Sequence, residues 1–346
     1  MLSPTLETFI ARMPKVELHL HLEGAVAPQT FLRLSQRNGI AIPANNEQEL
    51  QALFHYNDFH AFLNIFMALA ATVIQGEDFE LLAYELGMSL AAQNVVYAEV
   101  MISPMQHTRR GVDLREALAG TAAGFARATR NNGPRVGLVL DYGRQYGAEA
   151  AWPILETAIA CRSLGVVGWS IGGNEVGHPP EEFADLFAAA RTAGLGVMAH
   201  AGEVVGPSSV WGAIDVLEVS RIGHGIRSID DATLVAALAQ RGVVLDVCPS
   251  SNVRTKAIPS WPEHPLRQLY DAGVPVTINS DDPTFFETTI TEEFRRAAQY
   301  LGFTAGDFCA MTRTAAEAAF LPLADRQALV TTIEQAQSRL RAELGL

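Results

Sequence analysis

The chain has 346 residues, 49% of them apolar, and a formal net charge of −13. That acidity repels phosphate backbones, and only Lys15 and Lys256 supply lysine, so no basic face for nucleic acid is expected. No apolar run is long enough to cross a bilayer, no leader pattern opens the chain, and the three cysteines are odd in number and scattered. The expectation is a cytoplasmic globular protein without a membrane or nucleic-acid partner.

In chain order, residues 1–14 read as a short helix and a lead-in. Lys15–Leu22 alternates with period two and reads as a strand, which puts His19 and His21 on one side. Pro28–Gly39 is a helix with proline in its first turn and glycine at its end. The stretch from Pro43 to Gln93 is helical. Its Phe59, Phe62, Leu63 and Phe66 make one apolar face, which either packs on the core or caps a site as a lid.

From Asn94 the chain alternates. Strands are predicted at Val95–Ile102, Val136–Asp141, Val166–Ile171, Leu195–His200, Arg221–Gly225, Val243–Cys248 and Val274–Asn279. Helices fall between them, at Leu114–Arg130, Glu149–Ser163, Pro180–Ala193, Ser209–Glu218, Asp231–Arg241 and Pro262–Ala272. With the first strand this makes eight βα units, which close as an α/β (β/α)8 TIM barrel with a helical insertion after strand 1. An open doubly wound sheet is the alternative fold, but no Gly-x-Gly-x-x-Gly follows the first strand. The tail from Thr289 is helical, and no linker or repeat divides residues 1–346, so a single domain is expected.

In a barrel, catalytic groups sit at the C-terminal ends of the strands. His19 and His21 end strand 1, His200 ends strand 5, His224 ends strand 6, and Asp281 and Asp282 follow strand 8. A lone histidine at a strand end is usually structural. Three histidines and a carboxylate on one rim instead suit zinc, with cobalt, iron or manganese as alternatives. His19, His21, His200 and Asp281 are the expected ligands, and His224 is placed as a base or electrostatic partner for a metal-activated water. Glu203, three residues past His200, can protonate a substrate atom next to the attacked carbon, and Asp282 would face a ring nitrogen. His55, His60, His107, His178 and His264 read as solvated or structural. Glu99, Asp141 and Arg144 lie at strand ends as supporting groups or structural ion pairs.

At these residues the chain resembles the adenosine deaminase family of the amidohydrolase superfamily. The motifs are Glu17-Leu-His-Leu-His-Leu-Glu-Gly24, His200-Ala-Gly-Glu203, Arg221-Ile-Gly-His-Gly225, Val247-Cys-Pro-Ser-Ser-Asn252 and Asn279-Ser-Asp-Asp-Pro283. The resemblance implies a barrel with one zinc that hydrolyses a purine 6-amino group. It implies Glu203 as the donor to N1, His224 as the group that orients or deprotonates the zinc water, Asp282 as the partner of N7, and the Gly173 amide as the partner of N3. Where these enzymes commonly place an Asp for the ribose 5′-hydroxyl, this chain has Glu23, which is expected to border the pocket beside His21 as a substrate-binding group. The stretch Gly173–Pro180 is similar to the adenine deaminase branch, and Pro275–Asp282 to deaminases of 6-amino-6-deoxyfutalosine. Adenosine, or a related adenine nucleoside, is the first expectation for this small-molecule purine substrate, with adenine as the alternative. A two-metal hydrolase with a carboxylated lysine is disfavoured because neither lysine lies at the end of strand 4. A non-catalytic metal-binding barrel is the other rival class.

Overall fold

Eight parallel strands pair in sequence order: β1 (Lys15–His21), β2 (Val95–Ile102), β3 (Arg135–Gly143), β4 (Val166–Gly172), β5 (Gly196–Ala201), β6 (Arg221–His224), β7 (Val244–Val247) and β8 (Val276–Ile278). The structure, a computed structural model, describes residues 2–56 and 59–346; the side chains of Phe59 and His60 lie outside the described residues. Each strand is followed by helix, which buries its outer face. Together they form a (β/α)8 TIM barrel, as the βα alternation predicted.

The ring is nearly closed, and His19, His21 and Asp281 take part in closing it. β8 is only three residues long, and among the described residues the bridge that joins this end of the sheet to β1 pairs Leu20 with Asp281, just past β8. There the Asp281 N–H donates to the His19 carbonyl (3.1 Å), and the His21 N–H donates to the Asp281 carbonyl (2.9 Å). Lower down, the Asn279 side chain replaces backbone: its Oδ1 accepts from the N–H groups of Leu18 (2.8 Å) and His19 (3.2 Å). Glu17 completes the seam by accepting from the N–H (3.0 Å) and hydroxyl (2.5 Å) of Ser280.

β6, β7 and β8 are shorter than predicted, for local reasons. His224 takes φ 64° and Gly225 φ 67°, which ends β6. Pro249 opens a helix, Pro249–Arg254, directly after Cys248. The predicted helix Glu149–Ser163 is an α-helix only over Trp152–Ala160, with 3-10 turns on both sides.

The lower half of the barrel is filled, as expected for this architecture. Arg221 is fully buried, 2.6 Å from Glu99 and 3.1 Å from Asp246, with its guanidinium 3.9 Å from the Phe320 ring centre. Gly168 and Gly196 make room for that ring, since a Cβ at either would stand 2.8 or 2.2 Å from it. Glu99 is therefore part of a structural ion network beneath the rim.

The insertion between β1 and β2 carries helices at Pro28–Asn38, Glu47–Leu53, Phe59–Ala70 and Gly76–Ala92. Phe62 and Phe66 are buried against Phe285 and Phe286, with ring centroids 5.1–5.7 Å apart. With Leu63 they also line the cavity over the rim, so one face both packs on the core and roofs the site. Phe59, placed on that face by its spacing, lies outside the described side chains. No described helix is long and apolar enough to cross a membrane.

Candidate active site

The C-terminal ends of β1, β5 and β6 and the turn after β8 bring His19, His21, His200, His224 and Asp281 together. The centroids of His19, His200 and His224 are 4.5–5.5 Å apart. His19 stands 5.5 Å from His21. Two of these residues hold left-handed backbone, His224 at φ 64° and Asp281 at φ 63°. Such strain concentrates where surrounding structure must aim a side chain. Gly223 gives His19 its place, because a Cβ there would sit 2.7 Å from the imidazole Cε1.

Candidate ligand atoms of His19, His21 and His200 all lie within 4.8 Å of one another. Nε2 of His19 and Nε2 of His21 are each 3.4 Å from Asp281 Oδ1. Ligands bound at ~2.0–2.2 Å to a tetrahedral ion stand ~3.3–3.6 Å apart, which matches this spacing better than a hydrogen bond does. His200 spends its Nδ1 on the Ile171 carbonyl (3.1 Å), which leaves Nε2 free to face the others. Buried His19 has no hydrogen-bond partner for either ring nitrogen among the described residues. A buried polar group without a partner is costly, and a bound cation removes that cost. The donor set fits a divalent first-row metal.

Around this set lies a cavity of about 80 Å3. Glu203, Asp282 and Gly173, at φ 81°, border it. Burial, then the charge of Asp281, pushes the Glu203 carboxyl up to about 8. Asp282 is raised well above its ordinary range for the same two reasons. Its Oδ1 has no hydrogen-bond partner among the described residues, and Gly24 leaves it space, since a Cβ there would meet that oxygen at 1.8 Å. His224 Nε2 lies 3.7 Å from Glu203 Oε2 and 3.8 Å from Asp281 Oδ2.

The supporting groups are now assignable. Asp141 Oδ1 is 3.4 Å from His200 Nδ1. Arg144 is fully buried and donates to the carbonyls of His200 and Ile171. Glu175 holds the loop that bears Glu203: one oxygen accepts from the Gly202 N–H (2.6 Å), the other from those of Val204 and Val205 (2.8 Å each).

Glu23 departs from its expected place. It is 1% exposed, is absent from the cavity lining, and points its Oε1 at His107 Nε2 (2.7 Å) and the Ser103 N–H (3.1 Å). A 3-10 turn over Glu23–Ala25 ends the strand alternation on which the expectation rested. His107, expected in a loop, is buried in the short helix Pro104–Thr108. Gln106, Gln145, Tyr146 and Phe286 line the cavity and were not singled out from sequence. Gln145 and Tyr146 directly follow β3, at the rim where a barrel places its binding groups, and that position was the available signal.

Fold and rim together define a metal-dependent hydrolase barrel. Comparison with known proteins makes the class specific. The family model for adenosine deaminase matches residues 14–336. An adenine deaminase of Caulobacter vibrioides is 36% identical over 326 residues, which cover 94% of each chain. One from Cupriavidus pinatubonensis is 39% identical over 313 residues, 90% of this chain and 89% of that one. Among solved structures, an adenine deaminase from Arthrobacter aurescens superposes with TM-score 0.89 at 32% identity, covering 93% of this chain and 98% of the other. An amidohydrolase from Burkholderia ambifaria with bound Zn gives TM-score 0.90 at 29% identity, covering 100% and 96%.

The chain belongs to the adenosine deaminase family. It is a hydrolytic purine deaminase of that metal-dependent family.

Proposed function

We propose that this enzyme hydrolyses adenine to hypoxanthine and ammonia with one zinc ion held by His19, His21, His200 and Asp281. The observation that carries the choice of base over nucleoside is the turn of Glu23 into the protein. The carboxylate that would meet a ribose hydroxyl is bonded instead to His107 and the Ser103 backbone. The adenine deaminases among the relatives agree. Adenosine, the first expectation from sequence, gives way to the alternative.

Zinc suits the three-nitrogen, one-oxygen donor set, and the Burkholderia neighbour supports it. Bound there, zinc would lower the pKa of a water so that hydroxide is available near neutral pH. The protein's own groups do the rest. Glu203 gives a proton to N1, which withdraws electrons from C6 as water adds to that carbon. His224, beside Glu203 and Asp281, orients or deprotonates that water. Asp282 meets N7 and the Gly173 amide meets N3, so the protein would hold the ring at two of its edges. Loss of ammonia from C6 then restores the carbonyl of hypoxanthine. Residues 1–346 act as one domain in this reading, and the free, mostly buried cysteines suit the cytoplasm.

The test is ammonia release by the zinc-loaded enzyme from adenine, adenosine and 5′-substituted adenosines. Adenine is expected to lead in kcat/KM. A preference for adenosine, or for the 5′-substituted compounds, refutes the assignment.

A further inference from the structure

His224 has two ring nitrogens, and only one of them faces the reaction. Which one carries the proton decides whether the neutral ring offers the substrate side a donor or a base. The tautomer of such a ring, and the orientation of a side-chain amide beside it, follow from what their partners can donate or accept. Here a fixed backbone group resolves both.

The chain of contacts starts outside the site. The Leu266 N–H, which can only donate, lies 3.1 Å from His264 Nδ1. That nitrogen must therefore accept, so the His264 proton sits on Nε2. His264 is 2% exposed, and burial pushes it down to about 3, which keeps it neutral. Its Nε2–H can then only donate to its neighbour, Asn252 Oδ1, at 3.2 Å. With its oxygen so engaged, fully buried Asn252 turns its amide nitrogen toward His224 Nδ1, 3.1 Å away. An amide nitrogen donates and does not accept. His224 Nδ1 therefore accepts, and the proton of the neutral ring is on Nε2, the nitrogen near Glu203 Oε2 and Asp281 Oδ2.

We propose that Asn252 and His264 are positioning residues that hold His224 as its Nε2–H tautomer, so that it meets the reacting water as a hydrogen-bond donor and not as a base. The role at the water rests on the deaminase reading above; the tautomer does not. The surroundings are consistent with a relay whose purpose is orientation. Asn252 is held by its own backbone at both ends, its N–H bonded to the Cys248 carbonyl (3.0 Å) and its carbonyl to the Ile258 N–H (2.9 Å). The amide thus has little freedom to turn over without breaking two buried side-chain bonds, at ~1–3 kcal/mol for each group left unpaired. The hydrogen bonds of the His264 ring run to Asn252 and the Leu266 backbone, one residue removed from His224. Of the two roles that sequence left open for His224, the relay selects orientation.

The experiment has two arms. The first is nitrogen NMR of the zinc-loaded enzyme labelled at histidine, with His224 assigned by the pair of signals lost in His224→Asn. The expected result is a bare Nδ1 and a proton-bearing Nε2; the reverse pattern overturns the proposal, whatever the enzyme's substrate. The second arm is kinetic. Asn252→Asp keeps the shape but accepts from both neighbours, which draws the His224 proton to Nδ1. Placing a catalytic proton on the wrong nitrogen typically costs ~10²–10⁴-fold in kcat. A fall of that size is expected, with zinc content and KM nearly unchanged and the NMR pattern inverted. His264→Phe, which lets the amide turn over, should lose less and show both tautomers. Wild-type kcat in Asn252→Asp with an inverted NMR pattern would overturn the donor role. Absence of adenine turnover in the wild type, with the expected NMR pattern, would instead count against the substrate reading and leave the tautomer standing.

Discussion

Glu203 and His19 both neighbour His224, at 3.7 Å from its Nε2 and 4.9 Å between ring centroids, yet they should fail in different ways when changed. Glu203→Gln keeps the hydrogen-bonding shape but cannot deliver a proton, so kcat is expected to fall ~10²–10⁴-fold with metal content intact. His19→Ala removes a buried ligand and should lose metal and activity together. Measuring metal content and kcat on the same preparations separates the two; near-normal turnover in Glu203→Gln would move the acid role elsewhere. Glu175 offers a third case. Its carboxylate accepts three backbone N–H groups of the loop bearing Glu203, and bonds to an ionised group are the stronger kind. Glu175→Gln should leave metal in place and lower kcat ~10-fold or more through a shifted Glu203. Unchanged kcat would show that the loop holds its shape without that charge.

At the scale of elements, the weak place is the seam between β8 and β1. Asn279 stands in for missing ladder bonds, and Asn279→Ala strands the buried N–H groups of Leu18 and His19. Two unpaired donors at ~1–3 kcal/mol each predict a loss of ~2–6 kcal/mol, read by denaturant unfolding. A change below ~0.5 kcal/mol would mean that the seam relaxes around the gap. This seam also shows what sequence could and could not tell. The histidines and aspartates at strand ends were legible because a barrel gathers all such ends on one rim, and the eight-fold alternation announced the barrel. The closing role of Asn279 was not legible, because β8 reads as a six-residue strand and only its partner β1 reveals how little of it pairs. The same holds for Glu23. Period two put it beside His21, but the chain turns after His21, and its partner His107 lies 84 residues away in a helix of five. Pairings of that range leave no periodicity to read. The His264–Asn252 contact is likewise invisible until the loop after β7 folds back on β6.

For the molecule as a whole, the barrel is divided by height. The lower half is plugged by Phe320 and the buried ion network of Arg221, Glu99 and Asp246. The upper rim holds buried His19, whose ring nitrogens have no hydrogen-bond partner among the described residues, and a cation bound there would satisfy it. Metal binding should therefore stabilise the folded chain by mass action, by ~4 kcal/mol when the ion is present at 1,000 times its dissociation constant. Thermal unfolding with and without a chelator checks this, and an unchanged Tm would argue against a site built by the folded rim. Above the rim, Phe62 and Phe66 of the insertion after β1 line the roof of the cavity.

The most direct measurement is kcat/KM for adenine and for adenosine on one zinc-loaded preparation. A site that hydrogen-bonds a sugar hydroxyl rejects the analogue without it by up to ~10⁴–10⁵-fold, and the carboxylate that would make that bond is engaged elsewhere in this chain. With Glu23 held by His107, the account predicts adenine ahead of adenosine by several orders of magnitude, with one equivalent of ammonia per hypoxanthine formed. Adenosine turned over as well as adenine, or better, would contradict it.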